Sequence, residues 1–228
     1  PSCHSWVNYA SRPISGGTWA KQGPVMSPGI AQDSKDAGRA WVIKRDGQYE
    51  MFYTGIDASG VWRILHATSG DGITWAKDGT AIEPTLALEG GCTRWCSVIY
   101  EDGVYKMWYS GLAGSNARIF YAEGALSEPV VPGSVDLSIS GADLSVSNPM
   151  AIGGDAVTVS AIVHGDISSA SGWQKSGVVL DLGGTGETLN VVSPSVLKLS
   201  DGSYVMYYTA SAVSGYNFRI FRATSPDG

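Results

Sequence analysis

A ten-residue unit recurs three times along the chain, and it constrains the fold more than any other feature. Asp46-Gly47-Gln48-Tyr49-Glu50-Met51-Phe52-Tyr53-Thr54-Gly55 is matched by Asp102-Gly103-Val104-Tyr105-Lys106-Met107-Trp108-Tyr109-Ser110-Gly111. It is matched again by Asp201-Gly202-Ser203-Tyr204-Val205-Met206-Tyr207-Tyr208-Thr209-Ala210. Asp-Gly supplies the positive-φ positions of a tight hairpin, and the aromatic run has the composition of a buried strand.

Each copy is followed by a second element 11 to 13 residues after its Met: Arg63-Ile64-Leu65-His66-Ala67, Arg118-Ile119-Phe120-Tyr121-Ala122 and Arg219-Ile220-Phe221-Arg222-Ala223. A third element is Trp75-Ala76-Lys77, which recurs as Trp19-Ala20-Lys21 and Trp173-Gln174-Lys175. Ahead of each Asp-Gly turn lies a further apolar strand: Ala40 to Lys44, Cys96 to Tyr100, and Ser193 to Leu199.

One unit is therefore a four-stranded meander, and such units repeated radially make a β-propeller. Asp46 to Asp102 is 56 residues and Asp102 to Asp201 is 99, about two periods, so a degenerate copy is expected near residue 150. The expectation is an all-β, single propeller domain over 1–228, with a partial blade at 1–28 and blades at about 36–86, 89–135, 143–182 and 187–228. Five blades, one of them incomplete, is the first choice; four blades closed by the Trp19 strand is the alternative.

Composition limits what such a body can do. Only 16% of the 228 residues are charged, 30 are glycine, and the net charge is −6. That acidic balance argues against a nucleic-acid binder and against a basic membrane-surface protein. The apolar runs are strand-sized, so no membrane insertion is expected. No charged-then-apolar leader opens the chain, so any export signal has been removed or was never there. Cys3, Cys92 and Cys96 are odd in number and cannot all pair within one chain. Free buried thiols, a Cys92–Cys96 bridge across a bulge and a Cys3–Cys92 bridge all stay open.

The pattern Asp-Gly-x-Tyr-x-Met-aromatic-Tyr-Thr/Ser-Gly, followed by Arg-Ile-x-x-Ala-Thr-Ser-x-Asp-Gly-x-x-Trp-x-Lys, resembles the five-bladed propeller glycosidases. These are glycoside hydrolase families 43, 32 and 68 and the related family 130 mannoside phosphorylases. The resemblance covers roughly residues 16 to 26, 36 to 125 and 187 to 228. It implies a glycan at the central channel mouth and catalytic carboxylates at or just before successive inner strands.

Those positions hold Asp33 and Asp36 before Arg39-Ala40-Trp41-Val42, and Glu89 before Thr93-Arg94-Trp95-Cys96. They also hold Asp143 before Ser147-Asn148-Pro149, and Glu187 before Ser193-Pro194. The resemblance makes Asp36, Glu89 and Asp143 the candidate catalytic carboxylates, one as proton donor and another as nucleophile or base. Arg39, Arg94, Trp41, Trp95 and Asp33 are the candidate sugar contacts: aromatic faces stack on sugar C–H faces, and an arginine binds a channel carboxylate, a sugar hydroxyl or a sugar acid group. Against each stands an ordinary reading as a loop acid, a blade-packing tryptophan or an ion pair in the channel wall. No cofactor is expected, and nothing indicates a channel calcium ion. The expected partner is a carbohydrate, with self-association through the incomplete blade, on the secreted, extracellular or periplasmic side. A non-catalytic sugar-binding or assembly module is the rival function.

Overall fold

The structure is a computed structural model that describes residues 5–125, 172–212 and 218–227. The chain divides into two compact units, Pro1–Leu126 with Ser171–Gly228, and Ser127–Ala170. The second unit lies outside the described residues, and everything below concerns the first.

The described residues are all-β apart from two 3-10 turns, Ala31–Asp33 and Ala87–Glu89. Strands β1 (Val7–Ser11) and β2 (Ala20–Met26) form a two-stranded sheet. Strands β3 (Asp36–Arg45), β4 (Gln48–Ile56), β5 (Trp62–Ser69) and β6 (Ala76–Ile82) form a complete antiparallel meander. A second meander is built from β7 (Thr93–Glu101), β8 (Val104–Ala113), β9 (Asn116–Ala125) and β10 (Gly172–Leu180). A third has three strands, β11 (Asn190–Lys198), β12 (Tyr204–Ser211) and β13 (Arg219–Ser225). Consecutive blades touch through single parallel bridges, Trp62 to Cys92 and Ala117 to Asn190.

One boundary differs from expectation. The Trp173 strand, assigned above to a separate blade over 143–182, hydrogen-bonds to β9 along its length. It completes the second blade as Trp75 leads into β6 in the first. Residues 126–171 lie between the two paired strands in sequence, and spacing alone cannot see across such a gap. The rest of that expected blade, Asp143 included, lies outside the described residues.

The repeated unit now reads as physics. Asp46, Gly47, Asp102 and Gly103 all have positive φ (49°, 86°, 52°, 83°), as a two-residue hairpin turn demands. In the third copy only Gly202 does, and the turn is a longer loop between Lys198 and Tyr204. Along β4 and β8 both sheet faces are buried, because each blade is sandwiched between neighbours. Met51 and Tyr53 pack back against Met26 of β2, while Phe52 packs forward on Val98, Tyr105 and Met107. Met107 and Tyr109 pack back in the same way, and Trp108 packs forward on Val191, Val196 and Tyr204. Each such side chain contributes about 1.5–3 kcal/mol of burial. Tyr207, the third copy's forward aromatic, is 43% exposed, with no further described blade to cover it.

Polar ties cross the same interfaces. Between the first two blades, buried Glu50 accepts from Arg45 Nε (2.8 Å) and from the Tyr105 hydroxyl (2.5 Å). The next interface carries the pair with its charges exchanged: Glu101, at the place of Arg45, meets Lys106 (2.7 Å), at the place of Glu50, together with Lys198 and the Tyr204 hydroxyl. Burial alone would raise the Glu101 carboxyl, but these three donors overcome it and hold the pKa at about 2. A carboxyl depressed on folding adds stability above its unfolded pKa and loses it as pH falls through the folded value. The unfolding midpoint, followed by circular dichroism, is therefore expected to drop between pH 5 and pH 2, and Glu101→Gln is expected to flatten that drop. An unchanged slope in the variant would remove Glu101 from the account.

Candidate functional site at the leading ends of the inner strands

The acids ahead of the inner strands fall into two kinds. Asp33 and Glu89 each close a 3-10 turn and are fully buried. One oxygen of Asp33 accepts from the backbone N–H groups of Gly29 and Ile30 (both 2.8 Å); the other accepts from the Tyr53 hydroxyl (3.0 Å) and Lys77. Glu89 repeats this in the next blade, accepting from the N–H groups of Thr85 and Leu86 (both 2.7 Å), the Tyr109 hydroxyl (2.7 Å) and Lys175 (2.7 Å). Burial pushes the Asp33 carboxyl up, but Lys77 and the two N–H donors outweigh it and leave it below the usual carboxylate range. Burial is also the largest cause of the raised Tyr53 and Tyr109 hydroxyls and of the lowered Lys175 ammonium.

Asp33 and Glu89 are thus structural brackets joining the loop ahead of a blade to its second and fourth strands. The expectation of Glu89 as a catalytic carboxylate and of Asp33 as a sugar contact does not fit oxygens already filled by protein donors. Glu187 stands in the same relation to the third blade, with the Tyr208 hydroxyl 2.5 Å away. The Tyr-Thr/Ser-Gly ending of the repeat follows. Tyrosine ties down the acid, and glycine leaves room for the acid's turn. A Cβ on Gly55 would lie 3.0 Å from Asp33 Cβ and 2.4 Å from Leu65 Cδ1, and one on Gly111 would lie 3.0 Å from Glu89 Cα.

The hydroxyl between them does a different job. Each inner strand breaks register once, between Gly38 and Trp41, between Arg94 and Ser97, and between Val192 and Ser195. At these bulges Arg39, Trp95 and Ser193 adopt left-handed backbone (φ 54°, 52° and 55°). Thr54 Oγ1 accepts from the Trp95 N–H (3.2 Å), and Ser110 Oγ accepts from the Ser193 N–H (3.0 Å). The second strand of one blade therefore pins the strained residue of the next. Left-handed backbone at three equivalent non-glycine positions is costly, and such strain concentrates at ligand sites.

The side chains at the first two bulges converge. The guanidinium carbon of Arg94 lies 3.8 Å from the Trp95 ring centroid and 5.2 Å from that of Trp62. That of Arg39 lies 5.3 Å and 5.7 Å from the same two rings. Pairing register makes Arg39 the counterpart of Trp95 in the repeat and Arg94 the counterpart of Gly38, one residue out from the near-equivalence read in sequence, yet both arginines reach the same aromatic pair. Burial and the charge of Arg39 lower the Arg94 pKa, and Cys92 partly opposes them. Asp36, Ile56 and Trp62 stand in one row across the first blade, and Trp62 bridges to Cys92, beside Thr93 and Arg94. Asp36 is half-buried and accepts one hydrogen bond, from the Ser5 N–H (3.2 Å).

Of the other candidates, Trp41 is not a sugar platform. Its indole N–H donates to the Val98 carbonyl (2.8 Å), and the ring packs into the core between the first two blades. Asp143 lies outside the described residues. Trp62 escaped the sequence reading, although the Arg-Ile motif places it directly before Arg63. Cys92 and Cys96 are buried free thiols, and burial pushes Cys96 up to about 12. Among the described residues no three His, Cys, Asp or Glu side chains gather as metal ligands. Two clefts of about 260 and 270 Å³ run beside Met51 and Trp75 and beside Trp108 and Tyr204; mostly apolar crevices against blade faces, they include none of the candidate residues.

No family model and no curated protein sequence matches the chain. Solved structures do. A thermostable family 43 glycoside hydrolase is 16% identical, with TM-score 0.53, over 91% of this chain and 57% of its own. A family 117 glycoside hydrolase of the marine bacterium Zobellia galactanivorans is 15% identical, with TM-score 0.55, over 84% and 52%. A family 130 glycoside hydrolase that targets β-1,2-mannosidic linkages in Candida mannan is 19% identical, with TM-score 0.54, over 96% and 56%. The chain spans about half the length of these proteins. At such identities the likeness is one of architecture: the described chain has the fold of the propeller-type glycoside hydrolases.

Proposed function

We propose that the protein engages a carbohydrate at the leading ends of its inner strands, on the face built from Arg39, Trp62, Arg94, Trp95 and Asp36, within a five-bladed ring. The observation that carries this is the convergence of two arginines on two tryptophans at bulges held in left-handed backbone. Aromatic rings offer sugar C–H faces a stacking surface, and guanidinium forks donate to ring oxygens and hydroxyls. Among the described residues of this face, Asp36 is a carboxylate that no lysine or arginine engages. In a hydrolytic reading it serves as acid or base, with a second carboxylate completing the pair.

The test is binding and turnover on aryl glycosides and on plant and microbial polysaccharides, run beside Trp95→Ala and Asp36→Asn. Trp95→Ala is expected to weaken binding about tenfold, the size of one lost stacking contact. Asp36→Asn is expected to abolish turnover while leaving the unfolding midpoint unchanged. Binding without turnover would establish the non-catalytic reading, which the sealing of Asp33 and Glu89 favours. Binding unaffected by Trp95→Ala would remove this face from the account.

A further inference from the structure

Resting on the reading of this face as a carbohydrate site, we propose that Arg39 and Arg94 select an anionic glycan, binding an acid group, carboxylate or sulfate ester, on the sugar. The other strand arginines of the first two blades have acids of their own: Arg45 meets Glu50, Arg63 meets Asp57 and Glu83, and Arg118 meets Asp181, whereas Arg219 and Arg222 of the third blade are exposed. Among the described residues Arg39 and Arg94 make no ion pair, and each instead lies near the same two indole rings. Arg94 Nε is buried with no hydrogen-bond partner. A buried donor without an acceptor is costly, and two like charges held together add repulsion. An incoming anion relieves both at once, and a planar carboxylate or a sulfate matches the guanidinium fork.

The surroundings sharpen the point. The whole chain carries a net charge of −6, so this cationic pair is a local exception to an acidic molecule rather than part of a basic surface. The Thr54 hydroxyl on the Trp95 N–H anchors the bulge beside Arg94, and Arg39 itself sits on left-handed backbone. A neutral glycan would satisfy the donors through hydroxyls but would leave the two charges unneutralised.

The experiment is isothermal titration with two matched pairs of ligands, oligogalacturonate against its fully methyl-esterified form and a sulfated galactan oligosaccharide against its desulfated form. We expect the acidic member of at least one pair to bind about tenfold or more tightly, as a hydrogen bond to a charged group is worth about 1.5–3 kcal/mol. The preferred pair identifies carboxylate or sulfate as the group read. Arg39→Gln and Arg94→Gln should each erase that preference, weakening the acidic member about tenfold more than the neutral one. If the half-buried Arg94 variant fails to fold, the exposed Arg39 carries the comparison. Equal affinity for acidic and neutral members, or a preference that survives Arg39→Gln, overturns this inference and leaves the carbohydrate reading standing. No binding to any of the four, nor to the neutral panel above, overturns both.

Discussion

Glu89→Ala is expected to destabilise the protein by about 3–5 kcal/mol, the loss seen when one partner of a buried ion pair is removed. Lys175 would keep its charge with no acid to face. The Thr85 and Leu86 N–H groups and the Tyr109 hydroxyl would lose their acceptor as well. Against a total of about 5–15 kcal/mol for an ordinary domain, that loss takes a large share of the margin. Urea unfolding followed by tryptophan fluorescence measures it. Adding Lys175→Met to the variant should recover part of the loss, because the uncompensated charge goes too. A Glu89→Ala protein within about 1 kcal/mol of the parent would return Glu89 to the list of functional acids.

Gly90→Ala is the second large effect, and its cause is steric. Gly90 caps the turn that carries Glu89 and sits at φ 58°. A Cβ there would stand 2.1 Å from the Leu112 carbonyl oxygen and 2.6 Å from Ala113 Cα. Both are backbone atoms of β8 and cannot rotate aside as a side-chain tip would. The expected loss is about 3 kcal/mol, the upper end for overpacking. Gly91→Ala is the control. It has positive φ too (75°), but its Cβ would meet nothing within 4 Å, so only the cost of left-handed backbone, about 1 kcal/mol, should appear. Equal unfolding midpoints for the two variants would show that the close approach of the turn to β8 is wrong.

These two residues show what can be read from sequence and what cannot. Local patterns were legible. Asp46-Gly47 and Asp102-Gly103 announce tight hairpins because only a few residue types accept two positive φ angles in succession. Met-aromatic-Tyr announces a strand buried on both faces because its alternation has no polar side. The partner of an acid is not local. Glu89 sits ahead of an inner strand just as a channel acid would, and the lysine that neutralises it lies far along the chain on β10. The same blindness gave the Trp173 strand to the wrong blade. Trp41 and Trp95 also look alike in sequence. A one-residue bulge turns Trp95 toward the arginines, while Trp41, two residues past its own bulged arginine, points into the core.

The most direct measurement is a crystal structure of the protein with an oligosaccharide drawn from whichever ligands bind. The account predicts a sugar ring against Trp62 and Trp95, its acid group within hydrogen-bond reach of Arg94 and Arg39, and Asp33 and Glu89 still closed on their lysines. A sugar seated in either apolar crevice, or a Glu89 released from Lys175 to touch the ligand, would contradict it.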